Sequence, residues 1–484
     1  MNLLPEAERR VWELDQRINA RGVRIDTDFV LAGKAIADAM ASEVLEEFNQ
    51  LTGGAGLSPH QVEKTRNWLT EHGVSLPNLQ ADTVEEALQS IALPDDVRRA
   101  LEIRQAVAAT SLKKFDTMLA CVGPDGRARG LLQYHAATTG RWSGQLIQPQ
   151  NLPRPTIDIM PDPEALVAAV KTKEPDALRQ WGNPLDVLVS GLRHAIAAEE
   201  GSLLGAGDFA MIEACVLLAL AGQRDKCAMI VDGLDIHRDM AARIYGLERD
   251  AFLALRKDEL TAEQIEQRRV GKNGVLSCGY QIGAETFWRR YCRHLGEEGK
   301  ALAAKIVGVY RNQWAPKVPA LWRDLEKAAR RAMVLPGKIA VADCGITYWL
   351  TTRAGVPCLI CQLLNGKLLH YVNAREVGRD KWGRVKWTYH AYRKGQWREI
   401  EPYGGQLTEN VVSALSRELL VDRMFGFEEA GYPIIFTVHD EIVVEHPGIT
   451  RDRMEQIMTD RPAWAEKLGV PVAAEAWVHT RYHK

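Results

Sequence analysis

No run of roughly 18 apolar residues occurs in this 484-residue chain, so it holds no candidate transmembrane helix. The N-terminal stretch "MNLLPEAERRVWELDQRI" lacks the order of a secretory signal and reads as a charged helix. Cysteines are few and scattered, 8 in all, which suits a reducing cytoplasm better than a disulfide framework. Cys358 and Cys361 form one C-x-x-C, but no second pair at zinc-site spacing follows, so both read as strand core. Internal repeats and low-complexity tracts are also missing. Net charge is nearly absent, −2, which by itself names no partner.

The charge is, however, unevenly spread. Residues 268–331 hold 14 Lys and Arg against 5 Asp and Glu, a net of +9, and residues 353–398 hold 10 against 2, a net of +8. The remainder must then carry −19, because −2 − 17 = −19. Two basic zones on an acidic chain point to a polyanion held at particular surfaces. With 46% hydrophobic residues the chain is globular, and its length suggests about three domains or subdomains.

Along the chain, residues 1–50 read as a helix, an extended "RGVRID", then a long helix from Asp28 to Gln50. "LTGGAGLSPHQ" breaks it, with a turn and helix start at Ser58-Pro59. A second helical pattern over Asp95–Leu119 makes a protruding lobe with the first. Residues 155–187 are polar and loosely patterned and read as a surface excursion. Helical periodicity dominates from Asp235 to Val334, and β periodicity from Lys338 to Tyr403. "YGGQLTENVVSALSRELLVDRMF" is a helix, and "FTVHDEIVVEHP" (436–447) a hairpin.

That hairpin places Asp440 and Glu441 side by side in apolar surroundings, which is costly unless positive charge sits near them. A water-exposed turn tip is the bland alternative. "SLLGAGDFAMIEACVLLALAG" passes from strand to helix with Asp208 at the junction and Glu213 inside the helix. A carboxylate there can hold an ion or act as an N-cap. In "RRVGKNGVLSCGYQIG", Arg268, Lys272, Leu276 and Tyr280 recur every four residues and form one helical stripe about 120° wide. Two cations followed by an aromatic suit a triphosphate and a stacked base, and an ordinary basic surface helix is the alternative. Gly271, Gly274 and Gly279 each cost about 1 kcal/mol against Ala in a helix, which implies a close backbone approach or a bend.

Together, four segments in order resemble the motifs of family A DNA polymerases, the group of bacterial DNA polymerase I and many phage replicases. "TTGRWSGQLIQPQNLP" resembles the primer-template segment, "DFAMIEACVLLALAG" motif A, "RRVGKNGVLSCGYQIG" motif B and "VHDEIVVE" motif C. "DIHRDMAARIYG" and "YGGQLTENVVSALSREL" resemble the segment between motifs A and B and the helix before motif C; the latter run and the "GYQIG" spacing are most similar to phage and prophage members. The resemblance covers the chain from about residue 6.

It implies an α+β right-hand fold, with catalytic carboxylates on an antiparallel palm sheet. The thumb would be 28–120, the palm 121–222 and 336–484 with residues 1–27 packed on it, and the fingers 223–335. A basic β-rich insertion, 345–403, would face duplex. It further implies primer extension with deoxynucleoside triphosphates on primer-template DNA, using two Mg²⁺ ions, or Mn²⁺ in their place, on Asp208 and Asp440. Catalytic roles would fall to Asp208, Asp440, Glu441 and Lys272. Nucleotide contacts would come from Arg268, Lys272, His237, Glu213, Leu276 and Tyr280, and DNA contacts from Arg141, Gln406 and His439. The chain starts where the family's polymerase region starts, so a separate exonuclease and replication accessory proteins are expected partners of a cytoplasmic monomer. Leu276 stands where bacterial DNA polymerase I has an aromatic residue, and Ala214-Cys215 replace a usual Arg. A single-subunit phage RNA polymerase fits less well, because of Glu213 and the "HDE" ending. An idle DNA-binding protein would have no need of Asp208, Lys272 and Asp440.

Overall fold

The computed structural model describes residues 4–53, 59, 61–80, 83–84, 87–88, 93–107, 113–153, 155, 162–341, 344–393 and 395–483. The chain begins with α1 (Glu6–Arg21), which buries Val11, Leu14 and Ile18 at helical spacing. β1 (Val23–Arg24) pairs antiparallel with β2 (Arg127–Ala128) and closes the base of a helical lobe. Asp26 caps α2 (Thr27–Leu51), its side chain accepting from the Phe29 N–H. α3 (Val62–Glu71), α4 (Asp95–Val107) and α5 (Lys113–Cys121) complete the lobe, whose outer part has its own core around Phe48, Trp68, Leu69, Val97 and Leu101. The single helix expected over 95–119 is thus described as two, and 108–112 lie outside the described residues, as do 54–58 at the expected break.

β3 (Leu132–Gln133) and β4 (Ser143–Gly144) form a short ladder, with β4 inside the segment "TTGRWSGQLIQPQNLP". The expected surface excursion at 155–187 is a correction. α6 (Pro163–Lys171) and α7 (Pro184–Gly191) are both built there, and Leu166, Val167, Val170, Leu185, Val187 and Leu188 enter the second core. Asp162 and Asn183 cap these helices, each followed by Pro at the first helical position. Those start signals sit in a polar stretch whose apolar residues are too widely spaced for the core face to stand out.

β5 (Leu204–Phe209) is the centre of the sheet that matters most. It leads into α8 (Ile212–Leu220) through Met211, whose φ of 52° makes the strand-to-helix corner. A helical mass follows: α9 (Ile236–Tyr245), α10 (Ala262–Cys278), α11 (Gly296–Val309) and α12 (Lys317–Ala332). Asp239 of α9 is fully buried but satisfied by Lys226 at 2.6 Å, Arg249 at 2.5 Å and the Trp314 indole at 2.7 Å.

Residues 339–400 form a six-stranded antiparallel meander. Its strands are β6 (Ile339–Ala340), β7 (Thr347–Arg353), β8 (Val356–Gln362), β9 (Leu368–Arg379), β10 (Val385–Arg393) and β11 (Gln396–Ile400). Cys358 and Cys361 are buried in β8, as core residues. α13 (Gly404–Glu429) runs behind the central sheet. β12 (Ile434–Val438), β13 (Glu441–Glu445), α14 (Arg451–Thr459) and β14 (Ala474–His479) complete the chain. The central sheet has the order β12-β13-β5-β14, antiparallel throughout. Among the described residues no helix is long and apolar enough to cross a membrane.

The glycines of α10 find their reason inside the fold. A Cβ on Gly271 would lie 2.1 Å from the His237 carbonyl oxygen, and one on Gly279 2.5 Å from Leu217 Cδ2. The close backbone approach is that of α9 and α8. Gly308, in contrast, sits in α11 with open space where its Cβ would be. Gly271→Ala should therefore lower the thermal unfolding midpoint, at a cost of about 2 kcal/mol or more. Gly308→Ala should leave it unchanged or raise it, by up to about 1 kcal/mol. Equal midpoints for the two variants would refute this packing of α9 on α10.

Candidate active site

The register of the central sheet brings the separated carboxylates together. Glu441 of β13 pairs with Asp208 of β5, and the Phe209 N–H donates to the Asp440 carbonyl at 3.3 Å. His439 and Asp440 form the two-residue tip of the β12–β13 hairpin, with His439 at φ 54°. Tight hairpin tips require such left-handed residues, and a non-glycine there is uncommon.

Asp440 and Glu441 meet different surroundings, and that answers the problem of two adjacent carboxylates. Glu441 is 1% exposed and accepts from the Tyr482 hydroxyl at 2.7 Å. Burial and the Glu441 charge push the Tyr482 hydroxyl up, so it stays a donor. Asp440 faces Arg141, which reaches it at 3.1 Å and Glu213 at 2.6 Å. Burial lifts the Asp440 carboxyl above its ordinary value; Arg141 opposes this, and the Glu213 and Asp208 charges add to it. Two carboxylates share one guanidinium, with Asp208 on the paired strand beside them, and such a site favours more positive charge.

A metal ion fits this donor set in a particular way. Among the described residues no group of three or more His, Cys, Asp or Glu side chains forms a ready metal cage. Asp208 and Asp440 offer only oxygens, and a hard cation held by one or two carboxylates fills its remaining positions with water and substrate phosphate. The chemistry of the pair suits such an ion, with the protein supplying the minority of its ligands.

Opposite lies the stripe on α10. Arg268 is half-buried and donates to Asp235 at 2.6 Å. Asp235 also caps α9, accepting from the His237 and Arg238 N–H groups. His237 is buried, its Nε2 has no partner, and burial together with the Arg268 and Lys272 cations pushes it down to about 4, against the pull of Asp235. Its ring is therefore neutral and keeps one N–H to donate. Lys272 is exposed, and Leu276 is 44% exposed. Tyr280 lies just beyond the end of α10, in the following turn, where its hydroxyl reaches Glu213 at 3.3 Å. Burial and the Glu213 carboxylate push that hydroxyl well up, so it remains protonated. Leu276 and Tyr280 line one open cavity of about 620 Å³ with Gln281, Arg290, Tyr403 and Glu409.

The structure thus gathers Asp208, Asp440, Glu213, Arg141 and Tyr280, with Arg268, Lys272, His237 and Leu276 along the neighbouring helices. Gln406, expected at the DNA, is instead buried with its amide turned to the Tyr389 hydroxyl at 3.4 Å. Glu441 belongs to the supporting core. Sequence reasoning missed Asp235 and Tyr482. An Asp two residues before His237 at a helix start is a readable cap signal. Tyr482, two residues from the C-terminus, carries no local signal.

No family model matches the chain. The chain is 31% identical over 484 residues to the DNA polymerase of Bacillus phage SP02, covering 99% of itself and 71% of that protein. It is 25% identical over 370 residues to the thermostable DNA polymerase I of Thermus filiformis, covering 70% of itself and 40% of that enzyme. The polymerase domain of Pol1 from M. smegmatis, solved with DNA primer-template and dNTP, shares its fold with a TM-score of 0.60 at 16% identity, over 96% of this chain and 68% of the other. Taken with the four ordered motifs, these likenesses establish that the chain belongs to the family A DNA polymerases, is of their phage type, and is a DNA-directed DNA polymerase.

Proposed function

We propose that Asp208 and Asp440 hold two Mg²⁺ ions, with Mn²⁺ as an alternative, and that the chain adds deoxynucleotides to a primer 3′ end around them. The observation that carries this reading is the convergence of Asp208 and Asp440 at one end of paired strands β5 and β13, beside Arg141 and Glu213. Bound there, the ions would make the primer hydroxyl a better nucleophile and neutralise charge on the triphosphate.

The chain's own groups do the rest. Arg268 and Lys272 hold the β- and γ-phosphates, and Lys272 is placed to give a proton to the leaving pyrophosphate. The free N–H of neutral His237 adds a donor at the same end. Tyr280 occupies the nascent base-pair site, and Leu276 lies against the sugar. Arg141 and His439 meet the primer terminus, where Arg141 exchanges its Glu213 and Asp440 contacts for DNA. Glu441 acts through Tyr482, holding the hairpin tip rather than touching substrate. Base pairing supplies the sequence choice.

We assign the thumb to 28–120, the palm to 121–222 and 336–484 with 1–27 against it, and the fingers to 223–335. The outer part of the first has a core of its own, while Phe29 and Phe115 at its base share one with Ile147 and Phe436 of the palm. The last two share one continuous core, so the palm–fingers boundary is one of function rather than of packing.

Primer extension with purified protein tests the central claim. Asp208→Asn and Asp440→Asn should each abolish extension while primer-template affinity stays within a few-fold, because dispersed basic contacts hold the DNA. Substantial extension by either variant would remove the metal assignment.

Glu213→Ala should narrow the preference for deoxynucleotides over ribonucleotides at some cost in rate, since it removes the side chain that the Tyr280 hydroxyl holds beside the sugar. Unchanged discrimination in single-nucleotide incorporation would transfer that role to another residue.

Leu276 offers no hydrogen bond to replace a missing 3′-hydroxyl, so the wild type should discriminate against dideoxynucleotides. Leu276→Tyr should raise their use relative to the normal substrate. Equal use of both substrates by the wild type would show that Leu276 does not contact the sugar in this way.

A further inference from the structure

Away from the carboxylates, α12 and the β9–β10 hairpin enclose a cavity of about 430 Å³. Arg323, Lys327, Arg330, Arg331, Arg379 and Arg384 line it, and Glu326 is its one carboxylate. Arg323, Lys327 and Arg331 recur every four residues, on one exposed stripe of α12. Arg330 is held by Glu326 and by the Val385 carbonyl, and Arg384 by Asp380, so those two shape the walls. Five more cations than carboxylates facing one cavity repel each other unless an anion lies between them.

This cavity is not isolated. Its rim residues Arg323 and Glu326 also line a second cavity of about 530 Å³, with Gln281, Arg311 and Trp322. Gln281 in turn is shared with the cavity of Leu276 and Tyr280. The three are thus neighbours in one row, from the cavity of Leu276 and Tyr280 to the basic one. At the far end, in the same turn as Gly383 and Arg384, stands Trp382, 67% exposed, with Lys381 at 4.4 Å and Arg384 at 4.6 Å from its ring centre.

We propose that this row carries the unpaired 5′ template strand, its phosphates held by Arg323, Lys327 and Arg331 and a base stacked at Trp382. The proposal rests on the polymerase reading and extends it. It differs from the sequence-based expectation that the basic insertion faces duplex. In β9–β11 several of the insertion's cations are already neutralised, Arg375 by Glu399 and Lys386 by Glu401, whereas the α12 stripe is open. Basic residues that follow a backbone and an exposed aromatic for stacking are what a single strand needs.

The test uses primer-templates that differ only in overhang, one nucleotide against about fifteen, enough to span the site sizes of single-strand grooves. Wild type should bind the long overhang more tightly. A Lys327→Ala/Arg331→Ala variant should lose that gain, roughly tenfold, and its log–log salt slope on the long overhang should fall by about 1.4. Trp382→Ala should lose at least roughly fivefold on the long overhang. All variants should bind and extend the one-nucleotide substrate as wild type does, which also reports that they fold. Equal weakening on both substrates would make these residues duplex contacts and overturn the proposal. Affinity independent of overhang length in wild type would overturn it too, and leave the cavity to an acidic protein partner. Failure of wild type to extend any primer would instead overturn the polymerase reading.

Discussion

Like charges repel, and this protein is built to hold carboxylates together. Asp208, Asp440 and Glu213 come from two separated stretches of chain, and the charges of Glu213 and Asp208 add to the cost of ionising Asp440. The geometry is set by one strand register, Glu441 opposite Asp208. A slip by a single residue would turn every side chain of β13 to the other face of the sheet. It would take Ile442 and Val444 out of the first core and Val443 out of the second, although all three are fully buried. The hydrophobic faces of the sheet thus enforce an electrostatic arrangement that would not form on its own.

The cost is met by local neutralisation rather than by avoidance. Arg141 stands between Glu213 and Asp440, and Tyr482 satisfies Glu441 from the extreme end of the chain. The same device recurs in the helical part, where Asp239 is buried among Lys226, Arg249 and Trp314. Breaking one partner of such a set leaves an uncompensated charge, which typically costs about 3–5 kcal/mol. The active-site set differs in one respect: its carboxylates outnumber its cation, and the excess is what a divalent ion can use.

Elements whose chemistry is local were legible in the sequence. Asp208 at a strand end and Asp440 at a hairpin tip stand out because polar residues interrupt apolar runs, and the Arg268–Leu276 stripe stands out by its period. The helical span 235–334 and the β span 338–403 follow from periodicity alone. What long-range packing decides was not legible. Residues 155–187 have ordinary cap signals, but their buried face is defined only by α2 and the second core. The three glycines of α10 demand a close neighbour without naming it, and the neighbours prove to be α9 and α8. Gln406 stands near the start of a motif helix and gives no sign in the sequence that the insertion sheet covers it through Tyr389. Glu441 finds its partner 41 residues away.

The two ends of α10 are tied to different parts of the molecule. Its N-terminal half is fixed to α9, by Gly271 against the His237 carbonyl and by Arg268 on the Asp235 cap. Its far end is fixed to α12 and α13: the Trp322 indole donates to the Gly279 carbonyl at 2.7 Å, and the Gly405 N–H to Gln281 at 2.8 Å. Translating α10 as a whole would break the second set. Moving it without α9 would break the first, where backbone meets backbone and leaves no slack. α9 is tied in turn to the rest of the helical part, by Asp239 on Lys226 and Trp314, and α10 packs on α11 through Gly274 against Ile306. Arg268, Lys272 and His237 therefore have a fixed mutual geometry. A cluster of two cations and a neutral imidazole of fixed shape follows from where the glycines and the two helix-end hydrogen bonds lie.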